Sequence, residues 1–381
     1  MSISLSELLI LGQGSDLASE RGVSCSGELP PASDPHLVER AIAARASLGS
    51  RALILGHHYQ RDEVIQFADI TGDSFKLAQS AAAQSEAEFI FFCGVHFMAE
   101  SADILTSAKQ RVILPDLAAG CSMADMATAN QVEQCWNELK KIGVSAKTVP
   151  VTYMNSSAAI KSFTGEHGGT ICTSSNAQKS LEWAFSKAEK VLFLPDQHLG
   201  RNTAVLSLGL SIDDCVLWNP WKPMGGLTED QIKNAKMILW RGHCSVHGRF
   251  TRQTVDEVRS RVPGVQVIVH PECQHDVVLA ADVVGSTEKI IQTVSSSPAG
   301  SKWAIGTELN LVSRLAQNNP DKEVVFLDKT VCYCSTMNRI DLPHLVWAME
   351  SIVAGHIVNE IKVDERVAKY SRLALEQMLA L

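Results

Sequence analysis

Three parts of the chain repeat one pattern, in which short apolar runs alternate with amphipathic stretches of helical length. Each part closes on an apolar run followed by a cysteine: ILPDLAAGC ends at Cys121, ILWRGHC at Cys244 and FLDKTVC at Cys332. Strand-length apolar runs separated by helices are typical of parallel sheets covered by helices. The pattern predicts an α/β fold of three similar αβα sandwich units. The alternative is one long α/β chain whose cysteines follow strands by chance.

The same pattern gives the expected boundaries of the units. A weakly patterned extension covers residues 1–36, and the units follow at 37–146, 147–262 and 263–339, with C-terminal helices at 340–381 completing the first unit. Ligands of open α/β sheets gather outside the carboxyl ends of the strands. We therefore expect the parallel sheets to be arranged with pseudo-threefold symmetry around a central active site.

Three stretches carry more specific expectations. EVIQFADITGDSFKLAQSAAAQ predicts one helical stretch, and KVLFLPDQHLGRNTA predicts a strand followed by a loop. LGLSIDDCVLWNPWKPMGGLTED is expected to be a loop, and the sequence assigns it no role.

Composition narrows the classes of function. The 381 residues carry a net charge of -8 with no basic tail or stripe, which argues against a nucleic-acid partner. No apolar stretch approaches the roughly 20 residues of a membrane helix, and the N-terminus lacks the basic start of a secretory signal. We therefore expect a cytoplasmic protein without a membrane partner. In that compartment the ten cysteines should be reduced thiols.

The stretch WRGHCSVHGRF leaves several roles open for Cys244. HCSVH offers ligands for a zinc-dependent hydrolase, although structural zinc sites usually contain paired thiols. His243 or His247 could activate the thiol as a nucleophile. A metal cluster held by one cysteine from each unit explains all three cysteines together. Because a cubane cluster normally takes four thiolates, three would leave one iron open to act as a Lewis acid. A non-catalytic iron–sulfur carrier would have every iron ligated.

Polar side chains follow the predicted strands in every unit and suit a small, oxygen-rich anion. Helix N-termini at these points favour anions, and Gly285 in GSTEK allows close backbone approach. An ordinary helix cap or a buried histidine is the alternative for each residue alone. The candidates are His57, Tyr59, Ser74, Tyr153, Asn155, Ser174, His270, Glu272, Ser286 and Thr287.

The motifs, taken in order, resemble those of the quinolinate synthase family, the A protein of de novo NAD biosynthesis. The resemblance covers about residues 50 to 350. It rests on ten motifs: LGHHYQ, ITGDSFKLA, PDLAAGCSMAD, YMNSSAAIK, CTSSNA, FLPDQHLGRN, GHCSVH, HPEC, GSTEKI and CSTMNRIDL.

The resemblance implies an enzyme that condenses iminoaspartate with dihydroxyacetone phosphate to quinolinate, with loss of phosphate and two waters. It implies three α/β units around a central site, and a [4Fe-4S] cluster held by one cysteine per unit. It also implies a functional link to L-aspartate oxidase.

Carried over motif by motif, the cluster ligands are expected to be Cys121, Cys244 and Cys332. Cys334 competes for the third position, but Cys332 is preferred because it directly follows its strand, as the other two do.

The ten polar candidates fall on the family's substrate-handling positions. Among them, Tyr153 and Glu272 are expected to transfer protons, with His57 and His270 also catalytic. Ser286 and Thr287 are expected to bind phosphate or carboxylate.

Overall fold

Three separate β-sheets form the framework of the protein. The computed structural model describes residues 29–84, 86–330 and 333–381. Within them the strands are β1 (Ala52–His57), β2 (Ile70–Gly72), β3 (Phe89–Cys93), β4 (Arg111–Ile113), β5 (Thr148–Tyr153), β6 (Thr170–Cys172), β7 (Lys190–Leu194), β8 (Cys215–Trp218), β9 (Met237–Trp240), β10 (Gln266–Val269), β11 (Val283–Val284), β12 (Lys302–Gly306), β13 (Glu323–Phe326) and β14 (Glu360–Ile361).

Helices connect most of these strands. In the part of the chain that the structure describes they are α1 (Leu37–Leu48), α2 (Asp62–Ile65), α3 (Ser74–Ala83), α4 (His96–Leu105), α5 (Ala129–Lys141), α6 (Ala158–Glu166), α7 (Ala177–Lys187), α8 (Gln197–Asn202), α9 (Glu229–Asn234), α10 (Arg252–Arg261), α11 (His275–Ala280), α12 (Thr287–Ser296), α13 (Leu309–Asn318), α14 (Leu342–Val353) and α15 (Glu365–Leu379). None of them is long and apolar enough to cross a membrane.

The sheets confirm the predicted α/β class. The first sheet has the order β14-β4-β3-β1-β2, the second β6-β5-β7-β9-β8 and the third β11-β10-β12-β13. Among the described strands, all pairs are parallel except that of β14 with β4. A regular threefold arrangement of the units, and the residue boundaries of the units, stay predictions.

The three sheets share one local topology. In each, the first strand along the chain lies between the second and the third, as in β2-β1-β3, β6-β5-β7 and β11-β10-β12. The chain therefore reverses its direction of winding beside the first strand of every sheet. A crevice forms at the carboxyl ends of the strands at such a point, and ligands bind there.

Apolar strands buried on both faces explain why the sheets form. Every residue of β1, β3, β7 and β9 is buried, and their sequences ALILGH, FIFFC, KVLFL and MILW are almost continuously apolar. Strands covered by helices on both faces have this composition, because no side faces water. Burial of each large apolar side chain contributes about 1.5–3 kcal/mol.

The C-terminal segment connects the first two sheets. Strand β14 joins the first sheet at β4, and α14 packs on α1, where Arg40 pairs with Glu350 at 2.6 Å. Helix α15 instead lies against α6 of the second sheet, where Ser371 Oγ donates to the carbonyl of Ala158 at 2.9 Å. The last forty residues therefore bridge two units.

Three sequence-based expectations about local structure were wrong. The single helical stretch expected at 63–84 is interrupted by β2, whose three residues pair with β1. The loop expected after β7 contains α8, where Asp196 caps the helix by accepting two backbone N–H groups. The unassigned loop contains β8, which pairs in parallel with β9. Short elements of this kind depend on tertiary pairing and give little local signal.

We predict that Gly165→Ala destabilises the protein by about 3 kcal/mol, as judged by chemical unfolding. A Cβ at Gly165 would lie 2.0 Å from the carbonyl oxygen of Tyr370, so α15 would have to move away from α6. Gly248→Ala is the control, since its Cβ would meet only the His243 side chain at 3.4 Å. Equal stability of the two variants would contradict this packing.

Candidate active site and metal centre

A cavity of about 70 Å³ lies at the carboxyl ends of the strands of all three sheets. Segments that follow strands of each sheet contribute similar side chains to it. The first sheet supplies His57, Tyr59, Ser74 and Cys121, the second Tyr153, Asn155, Ser174 and Cys244, and the third His270, Glu272, Thr287 and Cys334. Among the described residues, the cavity therefore brings together all the polar candidates except Ser286, together with Cys121 and Cys244. Cys332 lies outside the described residues.

The shared topology positions these side chains. His57 is the last residue of β1, Tyr153 is the last residue of β5, and His270 directly follows β10. Each is thus at the end of the first strand of its sheet, beside the crevice between the first and third strands. The sheet framework, rather than a mobile loop, fixes where these three rings lie.

The Cys121, Cys244 and Cys334 thiols lie close enough to influence one another electrostatically. Burial raises the pKa of Cys121 to about 12 and raises the pKa of Cys244 well above its usual value. Burial also raises the pKa of Cys334, partly opposed by hydrogen bonds from Thr336 and Met337. Without a cation these thiols keep their protons, and a bound metal would displace them.

Cys332 and Cys334 compete for the third cysteine position. Cys332 lies outside the described residues, so its selection from the sequence stays a prediction. Cys334 lines the cavity, and its backbone N–H donates to Glu308 Oε1 at 3.4 Å. The Cys334 side chain is therefore available to a ligand in the cavity.

Glu272 is an ionised carboxylate deep in the site. Burial acts to raise its pKa, but the neighbouring His247 and a hydrogen bond from Tyr153 outweigh burial and lower the pKa to about 2. His247 Nδ1 lies 2.8 Å from Glu272 Oε2, within ion-pair distance although not aligned as a hydrogen bond. Burial and the Glu272 charge raise the pKa of the Tyr153 hydroxyl, which stays protonated beside the carboxylate.

His57 and His270 are neutral imidazoles. Burial lowers the pKa of each from 6.5 to about 3. The Tyr59 backbone N–H donates to His57 Nδ1 at 3.1 Å, and the Glu272 backbone N–H donates to His270 Nδ1 at 3.4 Å. Each ring therefore carries its proton on Nε2, because Nδ1 serves as the acceptor.

A chain of hydroxyl groups links the first and third sheets. The Tyr59 hydroxyl lies 3.0 Å from Thr287 Oγ1 and 2.8 Å from Thr307 Oγ1. Thr307 Oγ1 also lies 3.2 Å from His247 Nε2. Because Thr307 contacts both Tyr59 and His247, it fixes the orientation of two rings that line the cavity.

Sequence reasoning missed Thr307 and Glu308. Both are fully buried and directly follow β12, the third strand of its sheet. Burial raises the pKa of Glu308 to about 7, although its carboxylate accepts backbone N–H groups from Asn310 and Leu311. One signal could have identified them: polar residues follow the third strand of this sheet, as they follow the first.

Neutral donors and acceptors predominate where an anionic substrate would bind. No lysine or arginine lines the cavity in the described part of the chain. Ser74 and Thr287 begin ten-residue helices, whose N-termini favour negative charge. Asn155 Oδ1 is buried without a hydrogen-bond partner among the described residues. Ser286 caps α12 by accepting the Lys289 N–H at 3.4 Å and lies behind the lining.

Three donors in the cavity could hold a metal ion. Ligand atoms of Cys244, His247 and Glu272 all lie within 4.8 Å of one another in the described structure. Together with Cys121 and Cys334, they make the cavity compatible with a metal cofactor. His243, the other histidine of HCSVH, is exposed and does not line the cavity.

We predict that the free energy of unfolding falls as the pH is lowered from 6.5 to 5. Since the folded pKa values of His57 and His270 lie below 6.5, the unfolded chain binds more protons between about pH 3 and 6.5. The stability from neutral imidazoles is fully present above about pH 6.5. It is lost below that pH by about 1.4 kcal/mol per pH unit for each ring.

Urea unfolding of a His57→Gln/His270→Gln double variant tests this origin. The double variant should show a flatter pH dependence than the parent, and a His356→Gln variant at an exposed position should not. An unchanged slope in the double variant would show that other groups are responsible.

Comparison with known proteins identifies what the chain is similar to. Residues 40–380 match the family described as "Quinolinate synthetase A protein". The chain is 67% identical to a quinolinate synthase of Nocardioides sp. (strain ATCC BAA-499 / JS614), over 100% of this chain and 98% of the relative. It is 68% identical to a quinolinate synthase of Streptomyces coelicolor, over 98% and 95% of the two chains. A quinolinate synthase of Acidobacterium capsulatum is 55% identical over 91% and 93%.

These matches extend over nearly the whole chain and include all three strand-end segments that form the cavity. The chain therefore belongs to the quinolinate synthetase A family.

Proposed function

We propose that this protein condenses iminoaspartate with dihydroxyacetone phosphate to form quinolinate, phosphate and two waters, using a [4Fe-4S] cluster. The observation that carries the proposal is the convergence of one thiol from each sheet on a single buried cavity. The names of the relatives support the product, and the cavity supports the cofactor. A cytoplasmic location, and a functional link to L-aspartate oxidase as a source of the imine, remain predictions from the sequence.

The donor set fits a cluster with one open iron. Cys121, Cys244 and Cys334 line the cavity, and no fourth cysteine does so among the described residues. Cubane clusters normally take four thiolates, so three leave one metal position for water or substrate. When bound, the cluster supplies a Lewis acid to the cavity. We assign the third thiolate to Cys334, whereas the sequence pattern favoured Cys332.

Anion recognition falls to hydroxyl and amide groups. Ser74 and Thr287 are at helix N-termini. Asn155 Oδ1 is a buried acceptor with no partner among the described residues, which suits it to the N–H of an imine or enamine. Tyr59, Ser174 and His57 complete the polar lining. Orientation of both substrates in such an enclosed space replaces a bimolecular encounter with a positioned one.

Glu272 and Tyr153 are the groups we assign to proton transfer. The reaction requires a proton to leave the carbon that attacks the triose, and protons to reach the two oxygens that leave as water. Glu272 is ionised and can accept a proton, while the Tyr153 hydroxyl beside it can donate one. The neutral His57 and His270 rings donate from Nε2, which suits them to polarise a carbonyl or a leaving hydroxyl.

Two other functions have less support from the cavity. A zinc-dependent hydrolase built on HCSVH would use both histidines, but His243 is exposed and outside the cavity. A non-catalytic cluster carrier would have no use for the polar lining around the thiols. Membership of the quinolinate synthetase A family also favours a condensing enzyme over either one.

Matched cysteine variants test the proposal. We predict that Cys121→Ser, Cys244→Ser and Cys334→Ser each lower bound iron to below about half the parent's and abolish quinolinate formation, because each removes a cluster thiolate. Cys332→Ser and Cys215→Ser should retain iron and activity. Iron, sulfide and quinolinate are measured on anaerobically purified protein.

Loss of iron in Cys332→Ser with retention in Cys334→Ser would reverse the third assignment. Full iron in Cys244→Ser would contradict the three-sheet cluster site. An iron-loaded parent that makes no quinolinate from the two substrates would contradict the proposed reaction.

A further inference from the structure

A second metal-ligand set overlaps the thiols of the cavity. Cys244, His247 and Glu272 contribute sulfur, nitrogen and oxygen atoms within 4.8 Å of one another. His247 and Glu272 are only 2% and 3% exposed, so water competes weakly for their ligand atoms. Thiolate, imidazole and carboxylate are the three ligand types that zinc takes in proteins, and catalytic zinc sites use three protein ligands with one open position.

The imidazole is already oriented for such a site. His247 Nε2 lies 3.2 Å from Thr307 Oγ1, and the ring stacks on His270 with centroids 4.5 Å apart. Nδ1 therefore faces Glu272, at 2.8 Å from Oε2, and has no aligned hydrogen bond among the described residues. Metal-ligating histidines are usually held by a hydrogen bond through their other ring nitrogen, and Thr307 is placed to hold His247 Nε2 in this way.

We propose that Cys244, His247 and Glu272 bind a single Zn²⁺ ion when the cluster is absent, and that zinc and the cluster exclude each other because both require Cys244. On binding, the Cys244 thiol loses its proton to solvent and forms the Zn–S bond, so the thiol and carboxylate gain a compensating cation. Cys121 and Cys334 take no part in this zinc site.

The overlap has a direct consequence for the cofactor. Zinc bound to Cys244 leaves only two of the three assigned thiols for iron, so zinc-loaded protein should not accept a cluster until the zinc is removed. The mutual exclusion rests on the proposed function through its use of Cys244. Zinc binding itself does not, because it is measured on protein without a cluster.

The experiment is equilibrium dialysis of intact, cluster-free protein against zinc, followed by elemental analysis, for the parent and four variants. We predict one zinc per chain in the parent, Cys121→Ser and Cys334→Ser. His247→Gln and Glu272→Gln should bind zinc at least about 100-fold more weakly, since loss of a direct ligand should cost no less than loss of an outer partner. Circular dichroism establishes that each variant is folded. If only one of His247→Gln and Glu272→Gln folds, the folded variant alone is enough for the test.

Different results separate this proposal from the cluster assignment. Loss of zinc in Cys121→Ser or Cys334→Ser, with retention in His247→Gln and Glu272→Gln, would overturn it in favour of a three-thiol zinc site. Absence of stoichiometric zinc in the parent would also overturn it. Reconstitution with iron and sulfide after zinc loading should fail in the parent and succeed in His247→Gln. Full cluster assembly on the zinc-loaded parent would refute mutual exclusion. The number of zinc ions bound per chain would still test the zinc site by itself.

Discussion

The convergence of parallel strand ends on one buried space is the constraint on which the rest of the structure depends. In each sheet the first strand lies between the second and third, so each sheet opens a crevice at the same end. Three crevices that face one cavity place three thiols, three imidazoles, three carboxyl groups and several hydroxyls around it in the described structure. No single unit contains the complete site, because in the described structure each supplies one of the three thiols that line the cavity.

Burial then determines the chemistry of these groups. A buried charge is costly unless it is paired, and the cavity contains the Glu272 carboxylate and three thiols with no lysine or arginine in its described lining. The described residues offset the carboxylate through His247 and Tyr153. The thiols keep high pKa values and so require a metal to become thiolates. The same conditions would favour both the proposed cluster and the proposed zinc ion at the overlapping ligand set.

The sequence predicted much of this site because strand ends are visible as polar residues after apolar runs. His57, Tyr153 and His270 each follow the first strand of a sheet, where local sequence and topology point to the same place. Thr307 and Glu308 follow a third strand. Glu308 is also the N-cap of α13, so the local sequence explains it as an ordinary cap and does not indicate its position at the cavity.

Other features depend on tertiary contacts that local sequence does not contain. The three residues of β2 and the four of β8 form strands only because a neighbouring strand pairs with them. Cys332 and Cys334 are separated by one residue, so proximity to a strand does not decide between them. Cys334 lines the cavity in the described structure, whereas Cys332 lies outside the described residues, so the choice of Cys332 from the sequence stays a prediction.

The most direct test of the account is a Mössbauer spectrum of anaerobic, ⁵⁷Fe-labelled protein with and without quinolinate. A cluster held by three cysteines contains one iron that differs from the others, so about a quarter of the iron absorption should shift when the diacid binds. Four equivalent irons that do not respond to quinolinate would contradict an open metal position in this cavity.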